Sequence, residues 1–272
     1  MALNKAPLGK TSCYPGSYDP GLLFAVAREE NRRRLGLEAG RWPWFGEDLW
    51  QAWEISWLRP SGVPEVAWAE IAFPAASPSI IESKSLKLYL NSLNQAVYSS
   101  REQVAAVIAQ DLSSASGGGV RVNLFSVDES GEAIGRPAGF ELIDDEPVSD
   151  VVYEYSPDFL KAGDERVAEQ LCSHLLKTNC PVTGQPDWAT LLISYTGPKI
   201  DRAGLLRYVV SFRHKQDFHE HCVETVFTDL LARCSPRALT VVARYTRRGG
   251  LDINPWRSTE TGTHAGPRLM RQ

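Results

Sequence analysis

Apolar and polar residues alternate one by one through LWQAWEISWL, where Trp53, Ile55 and Trp57 interleave with Ala52, Glu54 and Ser56. That period of two is the mark of a half-buried strand. The turn RPSGVP leads into EVAWAEIAF, which alternates again, so the two stretches predict a β-hairpin. The period then lengthens. LKLYLNSLNQAV gathers Leu86, Tyr89, Leu90, Leu93, Ala96 and Val97 on one helical face, and REQVAAVIAQDL gathers Val104, Val107, Ile108 and Leu112 on another before SSASGGG ends it. VRVNLFSV returns to alternation, and DVVYEY predicts a last strand of this set.

SPDFLKAGDE reads as a linker, and beyond it the order recurs. RVAEQLCSHLL and WATLLISY predict strands, DRAGLLRYVVSF and DFHEHCVETVFTDLLARC predict helices, and ALTVVARY predicts a further strand. The last helix carries apolar residues at 222, 223, 226, 227, 230, 231 and 234, a wide stripe of helical period. The organisation is two copies of ββααββ, repeated in pattern and not in residue identity. It places the chain in the α+β class, each antiparallel sheet carrying two helices on one face. Residues 1–44, rich in Pro, Gly and charge, read as an irregular lead-in with one short helix; 45–156 and 157–272 form the two modules.

Composition narrows this picture little. The 272 residues are 43% hydrophobic and 23% charged, ordinary for a globular protein with a sizeable core. A net charge of −4 gives no global electrostatic reason for a nucleic-acid partner. No run reaches the roughly 18 apolar residues of a membrane span, and the start has no signal-peptide core. The cysteines, at 13, 172, 180, 222 and 234, are odd in number and irregular in spacing, which speaks against a disulfide framework and for a reducing cytoplasm.

Four stretches carry candidate chemistry. In KTNCPVTGQPDWA, Cys180 sits among polar residues, and the turn-rich PVTGQP lets it face Asp187 across a loop. A thiol with a neighbouring acid–base group suits nucleophilic catalysis; a semi-buried cysteine beside a turn aspartate is the alternative. In HKQDFHEHCVE, His219, His221 and Cys222 invite a zinc reading, although no single helix face gathers them. Asp217 and Glu220 there read as a capping box, or Glu220 faces a ligand and accepts paired hydrogen bonds from a guanine-like edge.

In ESKSLKLY, Ser83, Ser85, Lys84 and Lys87 at a helix start offer hydroxyls, N–H groups and charge to a phosphate, or form a serine cap with a solvated lysine face. In YTRRGGLDINPWRS, Arg247 and Arg248 precede two glycines, as a phosphate clamp or a plain surface turn. No GxGxxG follows a strand, so a Rossmann site is not supported.

Together, ESKSLKLY, NCPVTGQPDW, FRHKQDFHEHCVE and ARYTRRGGLDINPWRS resemble one family, the NADPH-dependent 7-cyano-7-deazaguanine reductases of queuosine biosynthesis. The likeness runs from about residue 45 to 258, in the family's long two-module form. It implies tandem tunnel-fold modules paired into a homodimer, with sites at module or subunit interfaces. It implies reduction of a nitrile to a primary amine, with NADPH as co-substrate and no metal. Cys180 would be the nucleophile that forms a thioimide, and Asp187 the proton donor. Ile81, Glu82, Ser83, His219 and Glu220 would hold the deazapurine; Ser83, Lys84, Arg248 and Gly249 would contact NADPH. The implied protein is cytoplasmic, with no nucleic-acid or membrane partner. The rival readings are a zinc-dependent cyclohydrolase acting on GTP and a non-catalytic module that binds purines.

Overall fold

A computed structural model describes residues 16–129, 137–262, 264 and 267–272. The chain divides into two compact units. The first comprises Met1–Arg33, Glu47–Gly131 and Arg247–Ile253; the second comprises Arg34–Gly46, Glu132–Thr246 and Asn254–Gln272.

In the first unit the alternating stretches form β2 (Phe45–Leu58) and β3 (Pro64–Pro74), an antiparallel hairpin with Leu58 opposite Pro64. A register shift between Ala52 and Ile55 bulges β2. β5 (Arg121–Phe125) pairs with β3, and short β1 (Ala25–Ala27) pairs with β4 (Ser79–Ile81). The helices are α1 (Glu29–Arg34), α2 (Ser83–Ser92) and α3 (Arg101–Ser116), α3 starting on a Ser100 cap and ending at Gly117 with φ 75°. Trp50, Ile55 and Trp57 from β2 form one core with Leu86, Tyr89 and Leu90 of α2 and Val104, Ile108 and Leu112 of α3. Helix and strand periods therefore bury one common apolar interior, as an α+β architecture requires.

In the second unit β7 (Ala162–Asn179) and β8 (Pro186–Ile200) form a long antiparallel hairpin. β9 (Ala238–Tyr245) pairs with β8, the second-unit residues Trp256, Arg257 and Ser258 of β10 (Leu251–Ser258) pair with β9, and β6 (Glu141–Leu142) runs parallel to β7. The helices are α4 (Arg202–Ser211) and α5 (His219–Cys234).

The two units repeat local contacts that periodicity does not reveal. YDPGLL at 18–23 and YSPDFL at 155–160 each form a 3-10 turn, Pro20–Leu22 and Pro157–Phe159. Asp19 N donates to Ser92 Oγ at 3.2 Å, and Ser156 N to Ser211 Oγ at 3.3 Å. Tyr18 and Tyr89 both donate to Asp111 at 2.6 Å; Tyr155 and Tyr208 both donate to Asp229, at 2.7 and 2.5 Å. Each hairpin is also tied to the chain entering the longer helix. Leu58 bonds to Ala96 and Tyr98, and Asn179 to Lys215 and Asp217, each at 2.9–3.0 Å.

These contacts correct three expectations. Residues 16–44 are no lead-in: Tyr18, Arg28 and Arg32 are built into the first unit, and Trp44 packs edge-on against Phe227 in the second, 5.7 Å between ring centres. SPDFLKAGDE is no linker, since it holds the 3-10 turn and the start of β7. DVVYEY forms no strand. Val151, Val152, Tyr153 and Tyr155 stay 37–46% exposed, and the Tyr155 ring sits edge-on to Phe212 rather than facing a ladder partner. The domain edges at 44/45 and 156/157 accordingly differ from those of the compact units.

Candidate active site

The β7–β8 hairpin sets the first cluster, wholly within the second unit. Its turn closes on Cys180, whose N–H donates to Gln185 O at 2.8 Å and whose carbonyl accepts from Gly184 N at 3.0 Å. Gly184 there has φ 70°, a conformation glycine adopts without strain. Asp187 lies opposite Thr178 on the returning strand. The bonds from Asn179 to Lys215 and Asp217 hold the start of α5 against this hairpin. They bring His219 Nε2 to 3.3 Å from Asp187 Oδ2, with Glu220 next in the chain in the first turn of α5. A carboxylate in that turn is favoured by the helix dipole. Cys180, Asp187, His219 and Glu220 are 2%, 5%, 8% and 2% exposed, so the thiol is buried at the hairpin end and not an exposed one.

The capping box expected at 217–220 is not formed. Phe218 is the N-cap of α5 with no side-chain cap bond. Asp217 instead accepts from Phe218 N and pairs with Lys215 at 2.8 Å and with His221 at 3.4 Å. His219 and His221 thus serve different carboxylates, and among the described residues no group of three metal-ligating side chains is gathered. Burial pushes the Cys222 thiol up to about 12. One residue of this cluster escaped the sequence reading: Tyr245, at the end of β9, lies flat against the His219 ring, 3.7 Å between ring centres and 4° between planes. Its only advance signal is its place in phase with Leu239, Val241 and Ala243 on an alternating strand.

The second cluster lies within the first unit. Glu82, and not a serine, caps α2: its carboxylate accepts from Lys84 N at 2.8 Å and Ser85 N at 2.9 Å and is fully buried. Burial raises the Glu82 carboxyl above its usual range despite those two bonds. The helix-end N–H groups of Lys84 and Ser85 are therefore occupied by Glu82. Ile81 is buried at the end of β4, while Ser83 and Lys84 are half-buried.

Arg248 and Leu251 flank a two-residue turn, bonded N–H to O at 2.9 and 3.2 Å in the two directions. Gly249 and Gly250 have φ of 61° and 79°, the signs that a tight hairpin turn of this kind needs. A Cβ on Gly250 would lie 2.5 Å from Glu54 Cδ. Lys87, the second lysine of ESKSLKLY, donates to Gly249 O at 2.7 Å and pairs with Glu54 at 3.1 Å. It fastens the Arg248–Gly249 turn to α2 one helical turn beyond Lys84. The sequence offers Lys87 as a phosphate ligand or solvated surface; its partner 162 residues away was not legible.

The chain matches the family model described as "Nitrile reductase, 7-cyano-7-deazaguanine-reductase N-term" over residues 14–124, and that described as "QueF-like protein" over 186–264. It is similar to proteins named NADPH-dependent 7-cyano-7-deazaguanine reductase from several bacteria. Identity is 52% with that of Chromohalobacter salexigens, over 99% of this chain and 98% of the relative. It is 53% with that of Azoarcus sp., over 96% and 92%, and 50% with that of Bordetella pertussis, over the full length of both. A crystal structure of the archaeosine synthase QueF-Like in the apo form covers 36% of this chain at 15% identity and a TM-score of 0.30, too slight to argue from.

Proposed function

Because the chain belongs to the family of NADPH-dependent 7-cyano-7-deazaguanine reductases, we propose that it reduces the nitrile of 7-cyano-7-deazaguanine to 7-aminomethyl-7-deazaguanine in queuosine biosynthesis. Identity of 52% over 99% of the chain carries this reading. The β7–β8 hairpin that carries Cys180 and Asp187, with Asp187 3.3 Å from His219, supports its chemistry.

A nitrile carbon accepts hydride poorly. Addition of the Cys180 sulfur to it, with a proton delivered to nitrogen, gives a thioimide whose C=N is more readily reduced. Asp187 supplies that proton, and His219, 3.3 Å away, contacts the substrate or relays protons to the carboxylate. NADPH supplies two hydrides in all. One hydride and one proton turn the thioimide into an amino thioether; its C–S bond then breaks, the sulfur leaving with the electron pair, and an imine remains. A second hydride and proton yield the amine and free Cys180. Glu220 accepts from the ring N–H and the exocyclic amine of the deazaguanine, a paired bond that fixes orientation. Ile81, Glu82 and Ser83 line the base pocket by the same reading. Ser83, Lys84, Arg248 and Gly249 contact the dinucleotide; a Gly–Gly turn between cations suits phosphate, and the cations favour NADPH over NADH.

The reading takes each unit as a tunnel-fold module, supported by the paired Tyr–Asp–Tyr contacts and the two hairpin ties. It takes the working form as a cytoplasmic homodimer acting on a small deazapurine without metal, nucleic acid or membrane. Among the described residues no helix is long and apolar enough to cross a membrane. The deciding assay follows NADPH oxidation on adding 7-cyano-7-deazaguanine, with NADH as control. Two equivalents of NADPH consumed per amine are expected; no nitrile-dependent oxidation would end the proposal.

A further inference from the structure

We infer that Tyr245 is a positioning residue for His219: its ring, together with the Asp187 carboxylate, fixes the imidazole for proton exchange. The inference rests on the nitrile-reductase reading for the step that His219 serves, but its geometry stands by itself.

A histidine ring turns broadly about its last side-chain bond, because that torsion has no sharp threefold wells. Proteins usually stop the rotation with a hydrogen bond to the second ring nitrogen, which also sets the tautomer. His219 lacks that device among the described residues. Nε2 faces Asp187 at 3.3 Å, while Nδ1 is buried without a hydrogen-bond partner. What bears on the ring instead is Tyr245, parallel to within 4° at 3.7 Å. An imidazole held at one edge by an acceptor and on one face by an aromatic plane has lost both its spin and its tilt.

The two holders are themselves registered to each other. Tyr245 pairs with Ala189 across β8 and β9, and Asp187 lies two residues earlier on that same strand. The carbonyl of Tyr245 also accepts from Gln272 Nε2 at 3.1 Å, and the residue is 1% exposed. Its hydroxyl lies beside the Cys222 thiol and Thr178 but forms no well-made hydrogen bond with either. The ring, and not the hydroxyl, is therefore the working part.

The test compares Tyr245→Phe, which keeps the plane, with Tyr245→Leu, which keeps bulk and burial but no plane. In the full chain, Tyr245→Phe should stay within about twofold of the parent in kcat, adduct rate and KM for NADPH. Tyr245→Leu should lose at least tenfold in kcat and in the rate of covalent adduct formation with the nitrile, with KM for NADPH unchanged. Equal activity of the two variants, equal loss in both, or a rise in KM for NADPH matching the fall in kcat would each overturn the inference.

A readout without turnover separates this idea from the reading beneath it. In histidine-labelled protein, the ring C–H signals of His219, assigned with His219→Gln, should be displaced upfield by the facing ring. The displacement should persist in Tyr245→Phe and vanish in Tyr245→Leu. Signals that do not differ between the two variants refute the stack, whether or not the protein reduces nitriles. Should Tyr245→Leu fail to fold, Tyr245→Met carries the same comparison.

Discussion

If the sulfur that adds to the nitrile is that of Cys180, the other described cysteines must be poor competitors, and their surroundings set by how much. Burial pushes the Cys222 thiol up to about 12 and the Cys234 thiol up to about 11; burial, with Asp144 nearby, also raises Cys172. An ordinary thiol near 8.5 is about 3% ionised at pH 7, against about one part in 10⁵ at a pKa of 12 and one in 10⁴ at 11. Those deficits correspond to about 5 and about 3 kcal/mol. Nucleophilicity rises with basicity at a Brønsted slope near 0.45, which returns almost half of each. The net handicap is then about 80-fold for Cys222 and about 25-fold for Cys234, before any difference in access. Intact-mass analysis of protein incubated with 7-cyano-7-deazaguanine should show one adduct in the parent. In Cys180→Ala, at the same time point, it should show no more than a few per cent of that. Circular dichroism controls for the loss of a buried sulfur. Adduct in Cys180→Ala at the parental rate, mapped to the Cys222 or Cys234 peptide, would refute both the assignment and the reasoning from burial.

Two further outcomes test the scaffold. Lys87→Met removes the clamp on Gly249 and Glu54, so KM for NADPH should rise several-fold while adduct formation stays unchanged; a changed adduct rate with a constant KM would reject the clamp. Asp111→Ala and Asp229→Ala each strand one buried tyrosine hydroxyl, Tyr89 or Tyr208, because the other tyrosine of each pair reaches solvent. Each substitution should cost about 1–3 kcal/mol in urea unfolding, and losses below about 0.5 kcal/mol in both would show that the shared carboxylates do not matter.

Much of the element order was legible because burial writes its period into the chain. β2 and parts of β7 alternate, β3 and β8 bury runs of consecutive residues, and α2, α3 and α5 carry apolar stripes. What escaped depends on contacts distant in sequence. The 3-10 turns at Pro20 and Pro157 look like irregular loop until Ser92 and Ser211 accept the N–H groups of their caps, Asp19 and Ser156. DVVYEY has the composition of a strand, yet Tyr155 is claimed by Asp229 and Phe212. At the site, the turn-rich PVTGQP put Cys180 and Asp187 across a loop and HKQDFHEHCVE offered His219 and Glu220 as ligand candidates, while resemblance supplied the role of each. Neither route could find Tyr245 or the clamp of Lys87, since ring stacking and a lysine-to-carbonyl bond leave no pattern in a single strand or helix.

Glu82 and Asp217 should make stability depend on pH with opposite sign. At Asp217, burial works to raise the carboxyl, but His221 and Lys215 outweigh it and hold the group below the usual range. The folded protein then binds fewer protons than the unfolded chain just below the ordinary value near 3.9. Its contribution is full above that value and is lost as pH falls through the folded pKa. At Glu82, burial outweighs the two backbone bonds and raises the carboxyl. The folded state keeps its proton longer, so this contribution is full below the ordinary value near 4.3 and is lost as pH rises through the folded pKa. Each unit of displacement is worth about 1.4 kcal/mol. The stability gap between parent and Asp217→Asn should be widest near neutrality and close in acid. The parent's stability relative to Glu82→Gln, whose amide resembles the protonated acid, should be highest in acid and fall as pH rises. Urea midpoints taken across that range decide the matter: two gaps that move in the same direction would mean that charge, at one of these carboxylates, is not governed by the partners and burial that the fold gives it.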